Sequence, residues 1–145
     1  MLPHILVAGL ASIATTASAL GINCRGSSRC NNGIMQHFLY QADHLDPNRW
    51  YQNNQKIMCQ LYEDVFTSGA FCLFLQNTGG VPGSSIKPLV QALSDHGCKG
   101  CGSVPVFYPQ GDNNPDHHGI LTLNFVSDPG RYGCGIDQDS AQLCP

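Results

Sequence analysis

A stripe of apolar residues at helical spacing begins at Ile34. Phe38, Ala42 and Leu45 follow it at intervals of four, four and three residues, which is typical of an amphipathic helix that buries one face. Pro47 stands two positions later, and the residue before a proline is disfavoured in helical conformation. The pattern therefore predicts a first helix that starts at Ile34 and ends before Pro47.

A second helical pattern follows a glycine-rich segment. Its apolar residues occupy positions i, i+3, i+4 and i+7 of one face: Ile86, Leu89, Val90 and Leu93. Ser85 stands where an N-cap side chain is expected, and Gly97 stands where a glycine closes a helix in a left-handed turn. These positions predict a second helix between Ser85 and Gly97.

Two apolar runs separated by turn residues predict a β-hairpin. Residues 55–61 place Ile57, Cys59 and Leu61 on one face, and residues 70–75 are almost wholly apolar. The tripeptide Thr-Ser-Gly between the runs is typical of a turn. We therefore expect two antiparallel strands joined at this tripeptide.

Other segments predict two more strands and a loop. Residues 104–108 suggest a short strand, and residues 120–126 alternate between apolar and polar side chains, which is the period of a half-buried strand. Residues 47–55 are polar and indicate a surface loop, with Trp50 and Tyr51 as anchors onto the core.

The order of these elements predicts the fold class. Two helices and four or five strands, without regular alternation of strand and helix, favour an α+β fold. We expect an α/β sandwich in which the two helices pack on one face of a mainly antiparallel, five-stranded sheet.

The first residues have the pattern of a secretion signal. Residues 5–19 are uncharged and apolar or small, and Ala17 and Ala19 supply the small-x-small pattern before a cleavage site. A short membrane anchor is the alternative, but the run is shorter than the roughly 20 residues of a spanning helix. We expect a signal peptide at residues 1–19, one mature domain at residues 20–145, and a secreted, extracellular protein.

Eight cysteines lie in the expected mature domain: Cys24, Cys30, Cys59, Cys72, Cys98, Cys101, Cys134 and Cys144. An even number in an oxidising compartment predicts four disulfides, although eight cysteines allow about 105 pairings. Cys59 and Cys72 can face each other across the hairpin. Cys134 and Cys144 can pin the last segment, which follows a turn predicted at residues 128–130.

The charge of the chain limits its partners. The formal net charge is -3 and the pI is about 6.0. A general electrostatic attraction to nucleic acid or to anionic lipid is therefore excluded. We expect no nucleic-acid partner, no membrane insertion and a monomer.

Two motifs suggest chemistry that the rest of the chain does not support. Cys98-x-x-Cys101 lacks both the βαβ context of a redox pair and a second ligand pair for zinc. Loop 111–119 has alternate Asp and Asn residues as in a calcium loop, but His117 replaces the required Gly and Leu123 the required Glu. We expect no metal, no cofactor and no catalytic residue.

Three segments resemble one family of fungal proteins. They are residues 20–30, which read Leu-Gly-Ile-Asn-Cys-Arg-Gly-Ser-Ser-Arg-Cys; residues 96–103, which read His-Gly-Cys-Lys-Gly-Cys-Gly-Ser; and the strand pattern of residues 119–126. Together they are similar to the corresponding elements of the killer protein 4 type toxins. The resemblance covers both ends of the expected domain.

The resemblance implies both a fold and a function. It implies an α/β sandwich in which Cys24 is bonded to Cys98 and Cys30 to Cys101. It also implies a non-enzymatic toxin that inhibits the growth of competing fungi by interfering with calcium channels at the cell surface. An effector or apoplastic binding protein with the same fold and another cell-surface target is the alternative, and the acidic charge favours it.

Four basic residues that adjoin cysteine-pinned backbone are the candidate target contacts: Arg25, Arg29, Lys56 and Lys99. A side chain on pinned backbone can bind with a small loss of conformational entropy. The founding toxin of the family is basic, with a basic cluster before the cysteine that matches Cys59. This chain has only Lys56 near that position.

Overall fold

The computed structural model describes residues 21–127 and 134–145. The predicted signal peptide, Leu20 and the predicted turn at residues 128–130 lie outside the described residues. The helices are α1 Ile34–Ala42, α2 Ile86–Asp95 and α3 Pro115–His118, and a 3₁₀ turn at Gly83–Ser85 precedes α2. The strands are β1 Trp50–Tyr51, β2 Lys56–Glu63, β3 Ser68–Gln76, β4 Val81–Pro82, β5 Gly102–Pro105, β6 Ile120–Val126 and β7 Gln142–Leu143.

Five of these strands form one antiparallel sheet in the order β5-β6-β3-β2-β7, and β1 pairs with β4 separately. The α+β class and the five-stranded antiparallel sheet are therefore confirmed, as are four disulfides. The short helix α3 was not predicted, because its segment is polar. No helix in residues 21–127 or 134–145 is long and apolar enough to cross a bilayer.

One face of the sheet carries the main core. Phe71, Leu73 and Leu75 of β3 point to this face, where they join buried residues of α1 and α2 such as Phe38 and Leu93. Each large apolar side chain buried in this way contributes about 1.5–3 kcal/mol. The two longer helices thus pack on the same face of the sheet, as predicted.

The opposite face carries a second, smaller cluster formed by Cys59, Ala70, Cys72, Cys134 and Cys144. Cys59 and Cys72 are directly opposite each other in the register of β2 and β3 and form a disulfide. The Cys134–Cys144 disulfide joins the last segment to this cluster. The sheet therefore has a helix-covered face and a face cross-linked by sulfur.

Two further disulfides fasten the N-terminal segment, residues 21–32. Cys24 is bonded to Cys98 just after α2, and Cys30 is bonded to Cys101 just before β5. We call these two bonds the staples. Beside them, the backbone N–H groups of residues 23 and 103 each donate to the other residue's C=O, at 3.0 and 2.8 Å. The start of the described chain is thus held against β5.

Several local predictions were wrong. The hairpin turn lies at residues 64–67, because β3 already begins at Ser68. The segment predicted as a surface loop contains β1, in which Tyr51 is buried as expected but Trp50 is 55% exposed. Ser85 makes no side-chain capping bond, since the 3₁₀ turn precedes the helix.

The predicted end of the second helix agrees with the structure. Gly97 has the left-handed conformation, with φ 100°.

Candidate functional site

The two staples frame an open cleft of about 590 Å³. Its lining includes Arg25, Ser27 and Asn32 of the N-terminal segment and Lys99 of the loop after α2. We call this the basic cleft. No Asp or Glu side chain lines it.

Hydrogen bonds and close packing fix the backbone around the basic cleft. The carbonyl of Lys99 accepts hydrogen bonds from the N–H groups of Gly33 and Met35, at 2.9 and 3.2 Å. A Cβ atom on Gly100 would lie 2.7 Å from the carbonyl oxygen of Asn31, so glycine permits this approach. Together with the staples, these contacts position the basic residues without help from their own side chains.

The basic cleft presents positive charge to solvent. Arg25 and Lys99 are exposed, and neither side chain has an ion-pair partner within residues 21–127 and 134–145. Lys87, in contrast, pairs with Asp43. Since nothing described compensates the two cleft charges, an anionic group of a partner would be attracted there.

Arg29 connects the N-terminal segment to the β2–β3 hairpin. Its guanidinium lies 4.9 Å from the ring centroid of Phe125, and its Nη2 donates to Thr67 Oγ1 at 3.2 Å. Phe125 in turn packs edge-on against Tyr62 and Phe71, with ring centroids 5.6 and 6.2 Å away. Arg29 therefore lies between the basic cleft and the hairpin turn.

Lys56 is not part of this surface. It begins β2, whereas Glu63 ends that strand beside the hairpin turn, so roughly 23 Å of extended chain separates the two residues. The Lys56 ammonium lies 4.1 Å from the ring centroid of Phe74, and burial lowers its pKa below the ordinary value. The structure thus places Arg25 and Lys99 in one cleft and Arg29 between that cleft and the hairpin turn, whereas Lys56 lies at the far end of β2.

The hairpin turn displays apolar side chains that the sequence prediction missed. We call residues 64–67 the hairpin tip. Val65 is 91% exposed and Phe66 is 96% exposed. Asp64 Oδ1 accepts hydrogen bonds from the N–H groups of Phe66 and Thr67, at 2.8 and 2.7 Å. An Asp that opens such a turn is the sequence signal that could have located it.

Comparison with known proteins decides the family. A family model described as Kp4 matches residues 7–127. The chain belongs to the Kp4 family. It is 28% identical over 122 residues to the KP4 killer toxin of Ustilago maydis P4 virus, and the match covers 81% of this chain and 88% of that toxin.

Two motifs of this Kp4-family chain have structural roles. Cys98 and Cys101 are each bonded to a cysteine of the N-terminal segment, so Cys98-x-x-Cys101 is not a dithiol pair. In loop 111–119, His117 Nδ1 lies 2.6 Å from Asp112 Oδ2, and the Asn114 side chain caps α3 by accepting from the N–H of residue 116. The alternate polar residues of this loop therefore build a helix start.

The conformation of the hairpin tip should depend on pH through the carboxyl group of Asp64. Its pKa is held below 3.8, first because the Tyr62 hydroxyl donates to it at 2.7 Å and then because the Phe66 and Thr67 N–H groups do. A depressed folded pKa stabilises the turn above the unfolded value, and this contribution is lost as pH falls through the folded pKa.

We therefore expect the hairpin tip to keep its conformation at pH 5 and to loosen only below about pH 3.8. In Tyr62→Phe the pKa of Asp64 should rise toward its ordinary value, because the largest stabilising hydrogen bond is gone. Carbon-detected NMR titration of the Asp64 carboxyl group measures both effects. An unchanged Asp64 pKa in Tyr62→Phe would contradict this assignment.

Proposed function

We propose that this Kp4-family chain is a secreted toxin that inhibits the growth of competing fungi. The observation that carries the proposal is the family match together with the similarity to the KP4 killer toxin along most of the chain. The four disulfides suit an extracellular, oxidising environment, and residues 1–19 have the pattern of a signal peptide. The protein acts as a monomer, without a cofactor and without an enzymatic step.

The basic cleft favours a cation channel as the cell-surface target. Rings of Asp and Glu side chains form the selectivity filters of one class of cation channel. Arg25 and Lys99 present two positive charges that no described residue neutralises, and Arg29 of the same N-terminal segment carries a third toward the hairpin turn. Contact between the cleft and an acidic ring would block calcium entry. The charges also provide a salt-dependent attraction during the encounter.

Reversal of the two cleft charges tests this proposal. In Arg25→Glu with Lys99→Glu, the concentration for half-maximal growth inhibition should rise at least about tenfold, because attraction to an acidic target becomes repulsion. The same variant should fail to reduce calcium uptake by sensitive cells. Both quantities can be measured with purified, oxidised protein on a panel of fungal strains.

Lys87→Glu is the control for charge reversal outside the basic cleft, with half the change in net charge of the double variant, since Lys87 is an exposed lysine that pairs with Asp43. Its potency should stay within about twofold of that of the unmodified protein. Equal potency of the double charge-reversal variant and the control would exclude the cleft as the contact surface. Failure of the unmodified protein to inhibit any strain would exclude the toxin function.

A second function is favoured by the net charge of -3, which departs from the basic character of the founding toxin. In this alternative the chain is an effector or apoplastic binding protein that keeps the fold and binds another cell-surface molecule. Pull-down with tagged protein from plant and fungal membranes separates the two functions. A reproducible partner that is not a channel, lost in the charge-reversal variant, would support the second.

A further inference from the structure

We propose that Val65 and Phe66 of the hairpin tip are an apolar anchor that enters a pocket in a protein on the surface of the target cell. This inference deepens the proposed function, because the pocket belongs to the protein that the toxin binds. The basic cleft explains attraction to an anionic group. The hairpin tip adds a contact of different chemistry.

The side chains at the tip are unusual for their positions. Turn residues are commonly Gly, Asn, Asp, Ser or Pro, each of which suits the backbone of a turn or hydrogen-bonds to it. Here Val65 and Phe66 occupy the central positions, with 91% and 96% of their surface exposed. Neither has a positive φ, so no backbone requirement selects them. Folding gains almost nothing from either side chain.

The tip is also held in one conformation. The Asp64 carboxylate accepts hydrogen bonds from the backbone N–H groups of Phe66 and Thr67, and the Asp64 N–H donates to the carbonyl of Thr67 at 2.9 Å. Outside the turn, Arg29 bonds to Thr67 Oγ1 and Tyr62 bonds to Asp64. A preordered tip loses little conformational entropy on binding, which is the usual property of an interface anchor.

The mixed charges and the small apolar area of the tip favour a protein over a membrane. The tip carries both signs of charge, since Glu63 and Asp64 precede the apolar pair and Arg29 contacts Thr67, so an anionic lipid surface gains no net attraction at the tip itself. Two side chains also bury too little apolar surface for stable membrane attachment, since even a single myristoyl chain binds only marginally. A protein pocket that receives one aromatic ring is compatible with carboxylates at its rim.

A second copy of the chain is a poor occupant for this anchor. A tip-to-tip contact would bring together the Glu63 and Asp64 carboxylates of both copies, and a tip that enters a cleft elsewhere makes a head-to-tail contact, which produces open chains unless the rotation closes a ring. The net charge of -3 further opposes association between copies. The occupant is therefore a different protein.

The tip and the basic cleft belong to one side of the molecule. Arg29 follows cleft residue Ser27 by two positions, and its guanidinium is bonded to Thr67 of the tip. A target would thus meet an aromatic anchor beside a group of cations. Aromatic and arginine side chains are the ones enriched at the centres of protein interfaces.

Phe66→Ala, alone and with Val65→Ala, is the test. Labelled, oxidised protein is bound to sensitive cells, and growth inhibition is measured on the same cultures. Phe66→Ala should bind about 30-fold more weakly, the loss typical of a central aromatic anchor, and the double variant should bind more weakly still. Tyr40→Ala is the matched control, because Tyr40 is an exposed aromatic residue on α1. Its binding should be unchanged, and all variants should have the urea midpoint of the unmodified protein.

The outcomes separate this inference from the proposed function. If the unmodified protein inhibits growth and Phe66→Ala inhibits equally well, the anchor is wrong and the toxin function stands. If the unmodified protein binds without inhibiting and Phe66→Ala loses binding, the anchor stands and the toxin function is wrong. Absence of binding to every strain overturns both. The identity of the partner is tested separately. A protein partner is contradicted if binding survives protease treatment of the cells or if the tip is required for binding to lipid vesicles. A partner different from this chain is contradicted if the tip is required for self-association in sedimentation.

Discussion

Removal of both staples should lower the free energy of unfolding by about 7 kcal/mol, whereas removal of either one alone should lower it by only about 2.5 kcal/mol. The staples span 74 and 71 residues, and in the chain-entropy model the first such loop contributes about 4.5 kcal/mol. Once one staple is closed, the other closes a ring of only about nine residues, worth about 2.5 kcal/mol. The two bonds therefore substitute for each other, and losses of stability combine non-additively.

Alanine pairs at Cys24 with Cys98, at Cys30 with Cys101, and at all four positions form the double-mutant cycle. Guanidinium unfolding of the oxidised proteins measures each step. Because a small domain has about 5–15 kcal/mol in total, a loss of about 7 kcal/mol should give the fourfold variant the lowest guanidinium midpoint of the set. Cys134→Ala with Cys144→Ala is the additive control, since that bond closes its own short loop. Single-pair losses that sum to the fourfold loss would contradict the shared-loop explanation.

Phe71→Ala should destabilise the fold by about 3–5 kcal/mol, because Phe71 is almost wholly buried on the helix-covered face of the sheet. It should also disturb the proposed binding surface. Phe71 packs edge-on against Tyr62 at 5.3 Å and against Phe125 at 6.2 Å. Tyr62 bonds to the hairpin tip and Phe125 lies under Arg29, so loss of the Phe71 ring loosens the support of both.

Phe71→Leu is the control, since it keeps most of the volume and should lose less than about 1.5 kcal/mol. Urea unfolding gives the stability of each variant, and the NMR pKa of Asp64 reports the position of Tyr62. In Phe71→Ala that pKa should move up toward its ordinary value, and in Phe71→Leu it should stay low. A loss below 1 kcal/mol in Phe71→Ala would show that Phe71 is not a supporting core residue.

Periodicity predicted the elements whose burial is regular. The apolar stripes that begin at Ile34 and Ile86 lie on α1 and α2, because one face of each helix packs on the sheet. The alternation of residues 120–126 became β6. The first helix nevertheless ends at Ala42, three residues before Leu45, which is buried without being helical. A buried residue in the following turn carries the same periodic signal as one in the helix.

Features set by contacts between distant segments were not predictable from the pattern. Ile57 and Cys59 were expected on one face, but an irregularity in the β2–β3 register near Lys56 sends Ile57 to the main core and Cys59 to the sulfur cluster. The pairing of Trp50 with Pro82 in β1 and β4 likewise depends on the tertiary fold.

The proposed binding surface was predictable only in part. The sequence shows that four basic residues adjoin cysteines, but only the folded chain shows that Arg25 and Lys99 line one cleft and that Lys56 lies outside it. The pairs that join residues 24 and 30 to residues 98 and 101 came from family resemblance, since the sequence alone leaves many pairings open. The hairpin tip was missed because Val65 and Phe66 have the composition of a strand, while the turn is made by the Asp64 side chain.

The mutual hydrogen bonds of Asn23 and Ser103 bear on how the molecule avoids aggregation. β5 is an outer strand of the described sheet, and a bare outer strand is a template for pairing with another chain. Asn23 occupies both outward hydrogen-bonding groups of Ser103, and Pro105 has no N–H to offer. β7, at the other edge, is only two residues long. Reduction of the staples would release Asn23 and uncover the β5 edge. We therefore expect the reduced chain to aggregate through β5 and the oxidised protein to stay monomeric.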